Sequence, residues 1–247
     1  MTGEVRVVPL RGIAELEEGD DLGLLLVEAA REVGGLEQGV VVVVAQKAVS
    51  KVEGRVVDLS GVEPSPRARE LAADSDPRRV EVILQESREV LRARPPLLIV
   101  ETRHGFVCAS AGVDASNAKG PDTLVLLPLD PDASAARIRD RIRELTDAVV
   151  AVIVSDSFGR AWRRGTTDVA LGVAGMAPLL DLKGHRDAAG YELHATEIAV
   201  ADEIAGAAEL VMGKTRGVPA AVVRGLDVGG DGRGVDLVMP RERDLFR

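Results

Sequence analysis

The sequence predicts a mixed α+β fold, and three observations carry that prediction. Short continuous runs rich in β-branched residues, Val40 to Ala45 and Val149 to Ser155, have the length and composition of buried strands. Longer stretches repeat apolar residues every three or four positions, as in Leu22, Leu25, Leu26, Ala29, Ala30 and Val33, the pattern of an amphipathic helix. The two kinds of segment follow one another without steady strand–helix–strand alternation, which argues against a regular doubly wound sheet. A chain of 247 residues can bury one large core or two small ones, and neither an internal repeat nor a linker divides it.

In chain order, Val5 to Leu10 reads as a strand. Gly19-Asp20-Asp21 opens the helix of the Leu22 stripe, and Gly34-Gly35 ends it. Val40 to Ala45 is the expected central strand. Gln46 to Arg55 follows it, and Val56 to Leu59 reads as a short edge strand. Pro64-Ser65 opens a short helix. Asp76-Pro77 starts a longer one, expected to run to about Arg92 with Val80, Ile83, Leu84, Ser87 and Leu91 on one face and Pro95-Pro96 as its stop. Leu97 to Thr102 and Phe106 to Ser110 flank Arg103-His104-Gly105 as a hairpin. A polar loop, Gly112 to Asn117, precedes a strand at Thr123 to Leu127, and Asp132 to Ser134 caps a helix through Ala136, Ile138, Ile142 and Leu145. The strand Val149 to Ser155 is expected to end at Asp156-Ser157, with an irregular glycine-rich region from there to Gly190. Thr196 to Met212 reads as a helix whose Ile198, Ala201, Ala205 and Ala208 permit close packing. Ala220 to Arg224 reads as a strand, and the tail from Gly229 as a surface segment.

Composition narrows the function. Aromatic residues are only 2%, so the core must be built from Val, Leu, Ala and Ile, and stacking platforms for nucleic acid are scarce. A net charge of −9 disfavours general phosphate-backbone binding, although a local arginine cluster can still hold a small anion. The single cysteine, Cys108, excludes an internal disulfide and a cysteine-rich zinc site, and its apolar setting reads as core. The start, MTGEVRVVPL, lacks the apolar run of a signal peptide, and Val40 to Ala45 is too short to span a bilayer. A cytoplasmic location without membrane or nucleic-acid partners is expected.

The chemistry concentrates at strand ends. Val149 to Ser155 delivers Asp156, Ser157 and Gly159, then Arg160, Arg163 and Arg164. Carboxylate plus hydroxyl is hard-oxygen ligation for Mg²⁺ or Mn²⁺, and guanidinium forks match phosphate oxygens. A strand end carrying solvated charges explains that loop alone equally well. A second loop offers Asp114, Ser116 and Asn117, ordinary turn residues if taken singly. Gln46-Lys47 and Ser50-Lys51 follow a buried strand and can neutralise phosphate, or can simply be solvated. Gly213-Lys214-Thr215 is not a P-loop: Ala208 stands where the first glycine belongs, and a helix precedes it. Gly213 reads instead as a helix cap. His104, His185 and His194 show no metal-ligand spacing, and His185 reads as part of a surface turn.

Taken together and in order, AQKAVSKVEGR, HGFVCASAGVDASN, LPLDPDASA, VSDSFGRAWRRG, DVALGVAG, ADEIAGAAELVMGK and VPAAVVRG resemble the coenzyme F420-0:L-glutamate ligase family, from Pro9 to Gly225. The chain is also similar to the N-terminal half of the two-domain actinobacterial members, without their nitroreductase-like half. The resemblance implies residues 1–247 as one catalytic unit of two interleaved subdomains in an intertwined homodimer. It implies a ligase that uses GTP to join L-glutamate to F420-0, or a dehydro relative, through an acyl phosphate, and then extends a γ-linked tail. A divalent Mg²⁺ or Mn²⁺, with K⁺ as a monovalent companion, is implied as cofactor.

The resemblance carries metal binding to Asp114, Asp156 and Ser157. It carries nucleotide contacts to Ile13, Ala14, Glu15 and Leu16, to Gln46, Lys47 and Lys51, to Asn117, and to Met212, Gly213, Lys214, Thr215, Arg216, Gly217 and Val218. Lys51 and Arg160 are the expected catalytic cations. Lys214 departs from the pattern, because some archaeal members place an acidic metal ligand there and a charged lysine cannot ligate a metal. A ligase of the same fold with another acid or amino acid, and a metal-dependent phosphohydrolase, are the alternatives.

Overall fold

The computed structural model describes residues 3–116, 118 and 120–246. In chain order its elements are strand β1 (Arg6–Leu10), helix α1 (Leu22–Arg31), β2 (Val41–Ala45), α2 (Gln46–Val52), β3 (Val56–Asp58), α3 (Pro66–Ala72), α4 (Pro77–Gln85), β4 (Ser87–Arg94), β5 (Leu97–Thr102) and β6 (Val107–Ala109). They continue with β7 (Thr123–Val125), α5 (Pro131–Thr146), β8 (Ala151–Arg160), β9 (Arg163–Ala174), β10 (Leu180–Asp181), β11 (Glu197–Ile198), α6 (Val200–Met212) and β12 (Ala220–Arg224). The mixed α+β expectation holds.

The principal sheet has the order β1-β12-β2-β8-β9. Only β2 and β8 are parallel, with Val41 opposite Ala151 and Ala45 opposite Ser155. Their unbroken apolar runs are explained by burial on both faces. Val42, Val44, Val152 and Val154 pack with Leu22 and Leu26 of α1 and Ile138 and Ile142 of α5. Val41, Val43 and Ile153 pack on the other side against Ala201, Ala205 and Ala208 of α6. Small residues on α6 let that helix lie close to the sheet. Each fully buried valine contributes about 1.5–3 kcal/mol. A second core, Leu98, Val100, Val80, Ile83, Ala68 and Leu124, joins α3 and α4 to the β4-β5-β6 sheet and the β3-β7 pair.

Several sequence expectations need correction. The helix from Asp76-Pro77 stops at Gln85, and 87–94 is strand β4, paired with β5. The spacing of Leu84, Ser87 and Leu91 suits a helix, but cross-strand pairing overrides it. The Ser87 hydroxyl donates to the Ile83 carbonyl at the helix end, and Arg88 pairs with Glu101 of β5. Pro95-Pro96 is therefore the turn of a hairpin. The strand from Val149 does not end at Ser155. It runs to Arg160 and returns as the twelve-residue β9 through the region read as irregular. Thr196 to Ile198 precedes α6, with Glu197–Ile198 paired to β10.

Asp130 caps α5 through the Ala133 amide, at 3.0 Å, in the role expected of Asp132. Asp132 does something else: its Oδ1 accepts from the Val173 amide of β9 and the Gly234 amide of the tail, at 2.8 and 2.6 Å. Asp202 of α6 likewise accepts from the Ala170 amide at 2.8 Å. Strand β9 is the edge of the sheet, and these carboxylates satisfy its outward amides and block further pairing. The tail is thereby held, with Gly234 buried against Leu171 rather than lying wholly on the surface.

Gly172 fixes how closely α5 approaches β9. A Cβ there would stand 2.1 Å from the Pro131 carbonyl oxygen and 2.7 Å from the Asp132 nitrogen, both backbone atoms with little freedom to move. Gly172→Ala is expected to destabilise the protein by roughly 3 kcal/mol. Urea unfolding checks this, and a change under 1 kcal/mol would show that the two backbones can separate. Among the described residues, no helix is long and apolar enough to cross a membrane.

Candidate active site

The parallel pairing of β2 and β8 creates the site. Because Ala45 lies opposite Ser155, whatever follows β2 and whatever extends β8 emerge at the same edge of the sheet. Helix α2 begins there at Gln46, and β8 carries Asp156 and Ser157 past the core. A bulge opposes Leu171 of β9 to no residue between the Val154–Gly172 and Ser155–Ala170 pairs, so the ladder bends where the apolar run gives way to polar residues.

A cavity of about 300 Å³ occupies this edge. Ile13, Ala14, Glu15 and Leu16 line it from the loop after β1, and Gln46, Lys47 and Lys51 from α2. Ser155, Asp156 and Ser157 of β8 and Asp168 of β9 close another side. Met212, Gly213, Lys214, Gly217 and Val218 contribute from the end of α6 and beyond it. Gly213 is the residue that ends α6, at φ 60°, as its sequence position suggested. A smaller cavity of about 200 Å³ shares Glu15, Leu16 and Lys51.

Asp114 does not itself line the cavity; it stands on the β6–β7 connection, held in register by a bridge to Val125, and meets the site through Lys47. Its Oδ1 accepts from the Ser116 amide at 2.7 Å, and its Oδ2 lies 2.7 Å from the Lys47 ammonium. Burial acts to raise the Asp114 carboxyl, but Lys47 and Ser116 outweigh it and hold the group below the ordinary aspartate value. Asp156 behaves oppositely. Burial pushes its carboxyl up to about 7, and the negative charges of Asp168 and Asp114 add to the rise, against the Ser157 amide and Lys47. Cys108 shows the same environment from the core side: burial, then the charge of Asp156, pushes its thiol up to about 12. It is a buried core residue, as expected, with negligible thiolate at neutral pH.

These groups fit a hard divalent cation. Asp114, Asp156 and Ser157 offer oxygen donors only, and Asp156 is raised first by burial and then by the charges of Asp168 and Asp114, which a cation would offset. Among the described residues no group of three or more His, Cys, Asp and Glu side chains is arranged to hold a metal. Phosphate oxygens and water would therefore complete the shell of any ion held here. The Gln46 amide nitrogen, in a side chain only 1% exposed, has no hydrogen-bond partner among the described residues, a donor facing the requirements of a bound polar molecule.

Three expected site residues are not brought together with the rest. Arg160 lies three residues beyond Ser157 on an extended strand, about 10 Å further on, and is exposed at the tip of the β8–β9 hairpin. Its guanidinium meets the Arg164 carbonyl at 3.4 Å. Thr215 and Arg216 are exposed and do not line the cavity; Arg216 turns back toward the Leu210 and Val211 carbonyls at the end of α6. Asn117 lies outside the described residues. Two ionisable residues at the cavity were missed, Asp168 and Glu209. Asp168 sat in the segment read as irregular, and only the Ser157–Asp168 register reveals it. Glu209 stands in the last turn of α6, where its carboxylate accepts from the Gly213 amide at 3.0 Å.

Comparison with known proteins shows the family. Residues 12–225 match the profile of the F420-0:gamma-glutamyl ligase family. The coenzyme F420:L-glutamate ligase of Methanothermobacter thermautotrophicus is 44% identical over 98% of this chain and 99% of its own length. Its namesake in Methanocaldococcus jannaschii is 46% identical over 86% of each chain. That of Archaeoglobus fulgidus is 43% identical over 98% of this chain and 96% of its own. Each matched span takes in elements that build the cavity, and the chain belongs to the F420-0:gamma-glutamyl ligase family.

Proposed function

We propose that the cavity is the active site of a GTP-dependent ligase that joins L-glutamate to the lactyl carboxylate of F420-0 and then extends the tail through γ-linkages, working as a homodimer in the cytoplasm. One observation carries the reading. Segments far apart in sequence, at 13–16, 46–51, 155–157 and 212–218, meet around one cavity in a chain of this family.

A carboxylate does not condense with an amine at useful rates in water, so it has to be activated. Transfer of the γ-phosphoryl group of GTP to a lactyl carboxylate oxygen gives an acyl phosphate and GDP. The glutamate amine then attacks the carbonyl carbon, the C–N bond forms, inorganic phosphate leaves and the amine proton is released. Lys47, Lys51 and Lys214 supply positive charge for phosphate oxygens. Lys47 reaches the site already paired with Asp114, and Lys51 with Glu15 at 2.5 Å. The loop at 13–16 and the segment at 212–218 would flank the nucleotide. Asp114, Asp156 and Ser157 would hold Mg²⁺ or Mn²⁺, which neutralises charge on the phosphates. Lys214 takes the phosphate role, because an exposed ammonium at the cavity rim cannot be a metal ligand. Arg160 has no reach to the cavity within one chain, so Lys51 is the stronger assignment for charge on the transferred group.

The test is a product assay. Purified protein with F420-0, L-glutamate, GTP and Mn²⁺ is expected to give glutamate adducts, resolved by mass spectrometry, that require both nucleotide and metal. GDP without an adduct would instead indicate the phosphohydrolase or a different acceptor.

A further inference from the structure

Asp168 is a buried carboxylate, 6% exposed, at the wall of the cavity. Its hydrogen bonds come from two serine hydroxyls: Ser155 Oγ donates to one oxygen at 2.9 Å and Ser157 Oγ to the other at 2.6 Å. The two serines alternate along β8 and so share one face of it, and Asp168 lies directly across the ladder from Ser157. Among the described residues no lysine, arginine or histidine forms an ion pair with Asp168. A desolvated carboxylate is costly without positive charge nearby, so hydroxyl donors alone make it an unusual structural element.

The arrangement has a chemical consequence. A serine hydroxyl has one proton and two lone pairs. With the proton committed to Asp168, the Ser157 oxygen can only accept or ligate on its remaining side, and the adjacent negative charge makes it a better donor toward a cation. The second hydroxyl, from Ser155, holds the other carboxylate oxygen and so prevents Asp168 from rotating away. We infer that Asp168 is the positioning residue for Ser157: it fixes the hydroxyl proton away from the cavity and leaves the serine oxygen as a ready ligand for the divalent cation. This inference rests on the metal-dependent nucleotide site proposed above. Asp168 is not assigned as a ligand itself: a direct ligand would cost the same affinity on removal whether or not the Ser157 hydroxyl is present.

The test measures Mn²⁺ affinity by electron paramagnetic resonance of the free ion, with a non-hydrolysable GTP analogue present. Wild type, Asp168→Asn, Ser157→Ala and the double variant are compared, with thermal melting as the control for folding. Asp168→Asn is expected to weaken Mn²⁺ binding by about 10–100-fold. In the Ser157→Ala background the same substitution is expected to change it less than about threefold, because its effect passes through the hydroxyl. Equal losses in both backgrounds would make Asp168 a direct ligand and overturn the inference, as would unchanged affinity in a folded Asp168→Asn protein. If Asp168→Asn does not fold, Asp168→Glu keeps the charge but displaces it by one methylene, and a weaker loss of the same kind is expected. Failure of both variants to fold would make Asp168 a folding residue and also overturn the inference. A wild-type protein that binds no Mn²⁺ with the nucleotide would instead bring down the site reading itself.

Discussion

Asp156→Asn is expected to raise the melting temperature of the metal-free protein at pH 8 by about 4–8 °C while abolishing metal-dependent turnover. The cause is the crowding of Asp156 by burial and by the charges of Asp168 and Asp114, which pushes its carboxyl from 3.8 up to about 7. Below pH 4 the group is protonated in both the folded and the unfolded chain, and it costs nothing. Between pH 4 and 7 the folded state still holds a proton that the unfolded state has released, so stability falls as pH rises. Above pH 7 the full penalty is present. Such a rise corresponds to at most about 4 kcal/mol, and partial solvent contact reduces it to roughly 2 kcal/mol. Asparagine has no charge to desolvate, so the variant escapes the penalty. Its gain should therefore be largest at pH 8 and nearly vanish at pH 4. Melting curves in a chelator at both pH values decide the matter. A variant that melts no higher than wild type at pH 8, or whose gain ignores pH, would show that the site does not strain this carboxylate. The pattern is that of a functional site that sacrifices stability for a charge arrangement, one that the cation of the proposed site would neutralise.

The second large effect is at Asp114. Asp114→Asn is expected to lower turnover by roughly 10³-fold or more and to leave the fold intact. Asparagine retains an oxygen for the Ser116 amide and the backbone bridge to Val125 is unaffected, so the loop keeps its conformation. What disappears is the charge that both pairs with Lys47 and offers an anionic ligand to a cation. The ion pair is partly exposed, and its loss should cost about 1 kcal/mol or less. Steady-state kinetics, Mn²⁺ affinity and melting temperature, measured on the same preparation, separate the two contributions. Full activity in the variant would remove Asp114 from the catalytic centre.

Much of this was legible in the linear sequence, for identifiable reasons. The valine run of β2 reads as a central strand because burial on both faces demands an unbroken apolar stretch. Helix α1 announces itself through its stripe and through Asp21, whose side chain caps the Leu24 amide at 3.0 Å. Asp156, Ser157, Lys47 and Lys51 stood out because polar residues follow a buried strand abruptly. The misreadings have equally physical causes. Strand β4 carries a helical spacing of apolar residues, and only its partner β5 makes the extended form preferable. Strand β9 holds Gly165, Gly172 and many polar residues, so local propensity gives no hint of a twelve-residue strand.

The sequence by itself determined the class of fold, the central strands, the principal helices and the residue types from which the proposed phosphate and cation site is built. Those features depend on local pattern and on which residues avoid water. The tertiary structure decided which of the polar residues meet. The β2–β8 register places Lys47 and Asp156 at one sheet edge and the β8–β9 register sets Asp168 against Ser157, while the extension of β8 carries Arg160 away from the cavity. Contacts between residues distant in the chain are fixed by strand pairing and packing, and no local pattern encodes the distance between two such side chains.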